Sequence, residues 1–212
     1  MAGLKNNYEA IAPIYDSLKK LVFGDSLIKT ELHFLKSANH IEHLLVIGCG
    51  SAKFIEELDM QKTEKITLID SSKKMCLLAK RRINRLDLED KIKVQNVDFF
   101  KWHSNEKYSH ISAAFFLDCL NDSQIDEVLN KMKKLVEKDG RLIVSDFARN
   151  TGDKAFYNVL IRSMYLFFNF CHCIQRTNTP DYQMAFSNTG WLIEEEYQHP
   201  DGKLFSQRLK KI

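Results

Sequence analysis

The sequence predicts an α/β protein built on an open, doubly wound sheet of about seven strands, mostly parallel and closed by an antiparallel hairpin. Three observations predict it. Short apolar runs alternate with helical periodicity from Leu44 to Phe147, the pattern of strands joined by crossover helices. The first run, Leu44-Leu45-Val46-Ile47, leads straight into Gly48-Cys49-Gly50, a tight turn of the kind that makes the first ligand site of such sheets. Asp70, Asp98, Asp118 and Asp146 close the second to fifth runs, at the edge where open α/β sheets bind ligands.

Each element follows from local pattern. Tyr8 to Asp16 reads as a short helix or lid segment interrupted at Pro13. Leu18, Leu21, Leu27, Ile28, Leu32 and Leu35 recur at helical spacing, so Ser17 to Lys36 forms one or two amphipathic helices. The first strand, about His43 to Ile47, is followed by a helix over Ser51 to Leu58. Lys65 to Ile69 is the second strand, and Ser71-Ser72 cap a helix to about Arg85 that buries Met75, Ala79 and Ile83. Lys91 to Val97 and Ile111 to Leu117 are the third and fourth strands. A helix over Asp122 to Lys138 stops at Asp139-Gly140, before a fifth strand from Arg141 to Val144.

The texture changes after residue 150. Asp153 to Gln175 reads as a long helix rich in aromatics, and Thr179-Pro180-Asp181 starts another, with Pro180 in its first turn and Gly190 ending it. Trp191 to Tyr197 and Lys203 to Leu209 alternate around the turn His199-Pro200-Asp201-Gly202, which makes the closing hairpin. No linker separates these parts, so the chain reads as one domain. Residues 1–40 form a helical lid, 41–150 the ligand-binding core, 151–190 a helical substrate-side insert, and 191–212 the hairpin.

Composition narrows the function. A chain of 212 residues with 44% hydrophobic and 28% charged residues supports a buried core and excludes wholesale disorder. The 31 basic residues are balanced by 28 acidic ones, leaving a net charge of +3, which is too mild to indicate a nucleic-acid partner. Lys73-Lys74, Lys80-Arg81-Arg82 and Lys133-Lys134 fall on helices and read as solvated faces. Five scattered cysteines and the lack of a charged-then-apolar leader suggest free thiols in the cytoplasm. Cys171-His172-Cys173 has no second ligand pair, so no metal is expected. Val159 to Ile174 is too short and too polar to span a bilayer.

Spacing then points to a cofactor. Asp70 lies 22 residues after Gly48, where an acidic residue reaches a ribose hydroxyl pair. A dinucleotide or S-adenosylmethionine both carry that ribose. A dinucleotide fingerprint wants glycine or alanine at position 53, and Lys53 stands there.

At this level of detail the chain resembles the class I S-adenosylmethionine-dependent methyltransferases, in particular small-molecule members of the ubiquinone and menaquinone biosynthesis type. Val46 to Ala52 resembles their first motif, Leu68 to Lys80 their second strand and helix, Val97-Asp98-Phe99 their third, and Asn130 to Phe147 the elements that follow. The segment around Tyr8 to Asp16 and the late hairpin are similar too, so the resemblance covers nearly the whole chain. It implies a Rossmann-like fold, S-adenosylmethionine as cofactor and S-adenosylhomocysteine as product. It also implies residue roles. Gly48, Cys49 and Gly50 pass under the methionine part. Asp70, with Ser71 beside it, holds the ribose. Met75 packs near the adenine, Asp98 bonds its amino group next to the Phe99 backbone, Leu117 borders the methionine moiety, and Tyr15 closes over the cofactor. Val46 stands where many members carry an acidic residue, and Ala52 where a third glycine is commoner.

The expected reaction is methyl transfer to a small, lipophilic or aromatic acceptor at oxygen or carbon. Asp118, His172 and Tyr8 are the candidates to take a proton from it. The aromatic run from Phe156 to Phe170 is the candidate roof of an apolar pocket. Phe116-Leu117-Asp118-Cys119 lacks the Asn/Asp-Pro-Pro-aromatic signature of enzymes that methylate amide or adenine nitrogens. The competing readings are a non-catalytic cofactor-binding protein on the same fold and a nicotinamide-dependent reductase.

Overall fold

The apolar runs become strands because both faces of a parallel sheet are covered, so every side chain along them can be buried. A computed structural model of the chain describes residues 24–148 and 179–212. Within them β1 (Ile41–Ile47), β2 (Thr63–Asp70), β3 (Ile92–Asn96), β4 (Tyr108–Ala114), β5 (Val136–Phe147), β6 (Trp191–Gln198) and β7 (Leu204–Lys211) form a single seven-stranded sheet. Its order is β3-β2-β1-β4-β5-β7-β6. β1 to β5 are parallel, while β7 pairs antiparallel with both β5 and β6. The strand order reverses between β1 and β4, the point where open α/β sheets form a ligand crevice at the carboxyl ends.

Alternate residues of β1 divide the core. Leu45 and Ile47 face the side covered by α3 (Asp122–Leu135) and α4 (Tyr182–Thr189). Leu44 and Val46 face the side covered by α1 (Ser26–Ser37) and α2 (Lys73–Arg85). This is the doubly wound α/β architecture expected. The predicted lid and insert, with Tyr8, Tyr15, His172 and the 156–170 aromatics, lie outside the described residues except for α1 and α4.

Four boundaries differ from expectation, each for a local reason. The segment after the glycine turn forms a five-residue 3₁₀ helix, Lys53–Glu57, and no α-helix. Its N-cap Ala52 is left-handed at φ 54°, which aims the chain away from an α-helical start. The fourth strand ends at Ala114, because Phe115 is also left-handed, at φ 54°, and turns the chain out of the sheet into a 3₁₀ helix, Leu117–Cys119. α3 ends at Leu135, and β5 starts at Val136 and runs through Asp139-Gly140. Tyr108 pairs with Val136 but His110 with Arg141, so β5 bulges there. Gly140 is required in that bulge, where a Cβ would meet Val136 Cγ2 at 2.7 Å and the Ser109 carbonyl at 2.8 Å. Finally, Pro180 precedes α4, whose N-cap is Asp181, accepting a hydrogen bond from the Met184 amide.

Candidate cofactor site

The crevice is built around the turn after β1. Gly48 and Gly50 both adopt positive φ, at 69° and 53°, a conformation that is easy only for glycine. The two positions differ in their surroundings. A Cβ on Gly48 would meet the Phe116 ring at 2.8 Å, whereas one on Gly50 would meet nothing within 4 Å. Gly48 is therefore roofed by the segment after β4, and Gly50 borders open space.

Asp70, the last residue of β2, is aimed at this turn. Its Oδ2 accepts the Gly50 amide at 2.8 Å, and its Oδ1 accepts the Ser72 amide at 2.8 Å. One oxygen is thus tied to the glycine turn and the other to the cap of α2, whose Ser72 hydroxyl accepts the Met75 amide. Each carboxylate oxygen still has a lone pair for a ligand hydroxyl. Burial pushes the Asp70 carboxyl above its ordinary range, and the two amides pull it back. Ser71 beside it is exposed, and its carbonyl accepts the Asn96 side chain at 3.0 Å.

Cys49 and Cys76 are buried near Asp70. Burial, and after it the Asp70 carboxylate, pushes Cys49 well up and Cys76 to about 11. Both thiols are thereby held in their protonated form at neutral pH. Among the described residues no cluster of His, Cys, Asp and Glu is arranged to hold a metal ion.

The far end of the crevice is the loop after β3. Asp98 Oδ1 accepts the Phe100 amide at 3.0 Å, shaping that loop from within. Lys131 of α3 pins it from outside, donating to the carbonyls of Phe99 and Phe100 while its ammonium lies 4.8 Å from the Phe99 ring centre. Phe99 itself is buried in the core.

Leu117 lies beyond the fourth strand, on the 3₁₀ helix, and is fully buried. Asp118 does not cap the next helix, because Asn121 does so through a reciprocal capping box with Gln124. Instead Asp118 is buried beside Asp146, whose Oδ2 accepts the Asp118 amide at 3.2 Å. Burial and the neighbouring Asp118 charge hold the Asp146 carboxyl well above its ordinary range. Val46 packs fully into the apolar layer under α2, between Leu68 and Ser112 of the flanking strands.

Sequence patterns thus bring Gly48, Cys49, Gly50, Asp70, Ser71, Met75, Asp98, Phe99, Leu117 and Asp118 to one edge of the sheet. Three residues that shape the site escape them: Phe116, Lys131 and Arg82. Lys80-Arg81-Arg82 reads as a solvated face, but Arg82 turns inward to the Ser51 carbonyl and to Glu56. Its spacing held a signal, since position 82 continues the helical face of Met75 and Ala79.

Among the described residues no helix is long and apolar enough to cross a membrane. Residues 44–140 match a family described as a methyltransferase domain. The protein Methyltransferase OMS1, mitochondrial, of Saccharomyces cerevisiae is 28% identical over 128 aligned residues, covering 52% of this chain and 26% of that one. The N-methyltransferase NodS from Bradyrhizobium japonicum WM9, solved with S-adenosyl-L-homocysteine, superposes with a TM-score of 0.71 at 18% identity over 98% of this chain and 99% of its own. Mitomycin 7-O-methyltransferase MmcR gives 0.74 at 13% identity over 98% of this chain and 61% of its own. This chain therefore spans about a quarter of the yeast relative's length. Domain match, strand order and the glycine turn agree: residues 44–140 match a methyltransferase domain, set on a doubly wound sheet that the solved methyltransferase structures share.

Proposed function

We propose that the protein transfers a methyl group from S-adenosylmethionine to a small, lipophilic or aromatic acceptor at oxygen or carbon. The observation that carries this reading is the fixed relation of Asp70 to the open Gly50 turn. A ribose diol wants a carboxylate with free lone pairs beside a backbone it can approach closely, and those residues fit it.

When bound, S-adenosylmethionine supplies a methyl group on a positively charged sulfur that leaves readily. The chain's own work is to hold and align. Asp70 accepts from the ribose hydroxyls, with Ser71 beside it. Gly48, Cys49 and Gly50 line the methionine part and Leu117 borders it. Asp98, Met75 and the Phe99 backbone bracket the adenine, and the family resemblance assigns the cover to Tyr15, outside the described residues. Alignment of the acceptor with the methyl, with water excluded, supplies much of the rate. Where the acceptor needs a proton removed, Asp118, His172 and Tyr8 are the candidates.

Calorimetry with S-adenosylhomocysteine against NAD(P)H tests the cofactor. Binding of the first only is expected, weakened by about tenfold or more in Asp70→Ala, which removes a charged hydrogen-bond partner. Absence of S-adenosylhomocysteine binding by the wild-type chain rejects the reading. A turnover screen with phenols, quinols and fatty acids then separates an enzyme from a cofactor-binding protein. The burial of Asp118 against Asp146 favours keeping that second reading in the test.

A further inference from the structure

The glycine turn lacks the α-helix that would ordinarily follow and hold it. Gly50 and Ala52 are both left-handed, and only a short 3₁₀ helix comes next. Two neighbouring groups of this turn are nevertheless held by side chains. Asp70 takes the Gly50 amide from the β2 side. From the α2 side, Arg82 donates through Nη1 to the Ser51 carbonyl and through Nε to Glu56 Oε1 at 2.8 Å. Glu56 lies on the 3₁₀ helix and also takes Lys53 and Arg85. A single planar guanidinium thus spans the turn and the element after it, a geometry that lysine's point charge cannot reproduce. The side chain of Arg82 is 15% exposed, against 66% for Arg85 on the same helix.

We propose that Arg82 is a positioning residue of the cofactor site, locking the Cys49–Ala52 turn in its binding conformation through the Ser51 carbonyl. It does from the back of the turn what a helix N-terminus does elsewhere. The proposal rests on the cofactor reading above.

The test compares Arg82→Met, Arg82→Lys, Glu56→Gln and Arg85→Met with the wild-type chain. Calorimetry with S-adenosylhomocysteine is read beside hydrogen exchange of the 48–57 segment by mass spectrometry. Arg82→Met is expected to weaken binding by about tenfold, with faster exchange confined to that segment. Arg82→Lys should recover part of both, and Arg85→Met should match wild type. Glu56→Gln separates the two contacts of Arg82. A small loss there places the effect at the Ser51 carbonyl, whereas a loss equal to Arg82→Met makes it a plain ion pair and overturns the proposal. Unchanged affinity and exchange in Arg82→Met also overturn it. Should Arg82→Met fail to fold, Arg82→Lys decides by the same two readouts. A wild-type chain that binds no S-adenosylhomocysteine rejects the cofactor reading instead, and exchange alone then decides whether Arg82 locks the turn.

Discussion

Gly48 is constrained twice, by its positive φ and by the Phe116 ring that a Cβ would strike at 2.8 Å. Gly50 is constrained once, by φ alone. Left-handed strain on alanine costs about 1–2 kcal/mol, and overpacking adds about 1–3 kcal/mol. Gly48→Ala should therefore lose more stability in urea unfolding than Gly50→Ala, by roughly the overpacking part. Equal losses would mean that Phe116 moves aside freely. Asp118 invites an opposite expectation. With Asp146 pushed above its ordinary range, the folded chain binds a proton there more readily than the unfolded chain. The cost of the buried pair is thus present above the folded value and fades as pH falls. Asp118→Asn should raise the Tm at slightly alkaline pH, and the gain should shrink on acidification. A Tm that falls at every pH would show that Asp118 stabilises by contacts other than this charge.

Element types were largely legible, because periodicity depends on burial and the sheet buries its strands on both faces. Boundaries were not, where a single backbone conformation decides them. Ala52 and Phe115 look ordinary in sequence, yet their positive φ ends a helix before it starts and a strand before its apolar run is over. Asp139-Gly140 reads as a helix stop and is instead a bulge within β5. At the start of α3 the cap is the reciprocal pair Asn121 and Gln124, whose capping role the sequence expectation passes over. That capping box closes two orphan amides of α3, which packs across β4 and β5 and carries Lys131. Asn121→Ala should cost about 1 kcal/mol in thermal or urea unfolding, and Asn121→Asp should restore most of it. No change in the alanine variant would mean that tertiary packing alone fixes the start of the helix.

The candidate cofactor residues sit at the carboxyl ends of β1, β2, β3 and β4, and they are legible in sequence because glycine and aspartate mark that edge. The central strands also carry buried and half-buried polar groups with no such signature. His43 Nε2 lies 3.0 Å from the Thr67 hydroxyl, and His110 Nδ1 lies 3.2 Å from the Ser109 hydroxyl. His110 faces Arg141 across the β4–β5 pairing, with Arg208 and His40 also nearby. Burial first, and then these cationic neighbours, lower it from 6.5 to about 4. The unfolded chain therefore takes up this proton before the folded one does. Stability from the neutral imidazole is complete above the unfolded value of 6.5 and is lost as pH falls to about 4. His33 and His43 are lowered in the same direction by burial. Allowing for solvent screening, His110 alone accounts for about 1–3 kcal/mol of acid sensitivity. His110→Asn keeps a polar group opposite Ser109 but cannot titrate. Unfolding free energies measured in urea across this range should fall less steeply for the variant, with the two curves parallel above it. Parallel curves throughout would place the acid sensitivity elsewhere, in carboxylates held below their ordinary range such as Glu56 and Asp201.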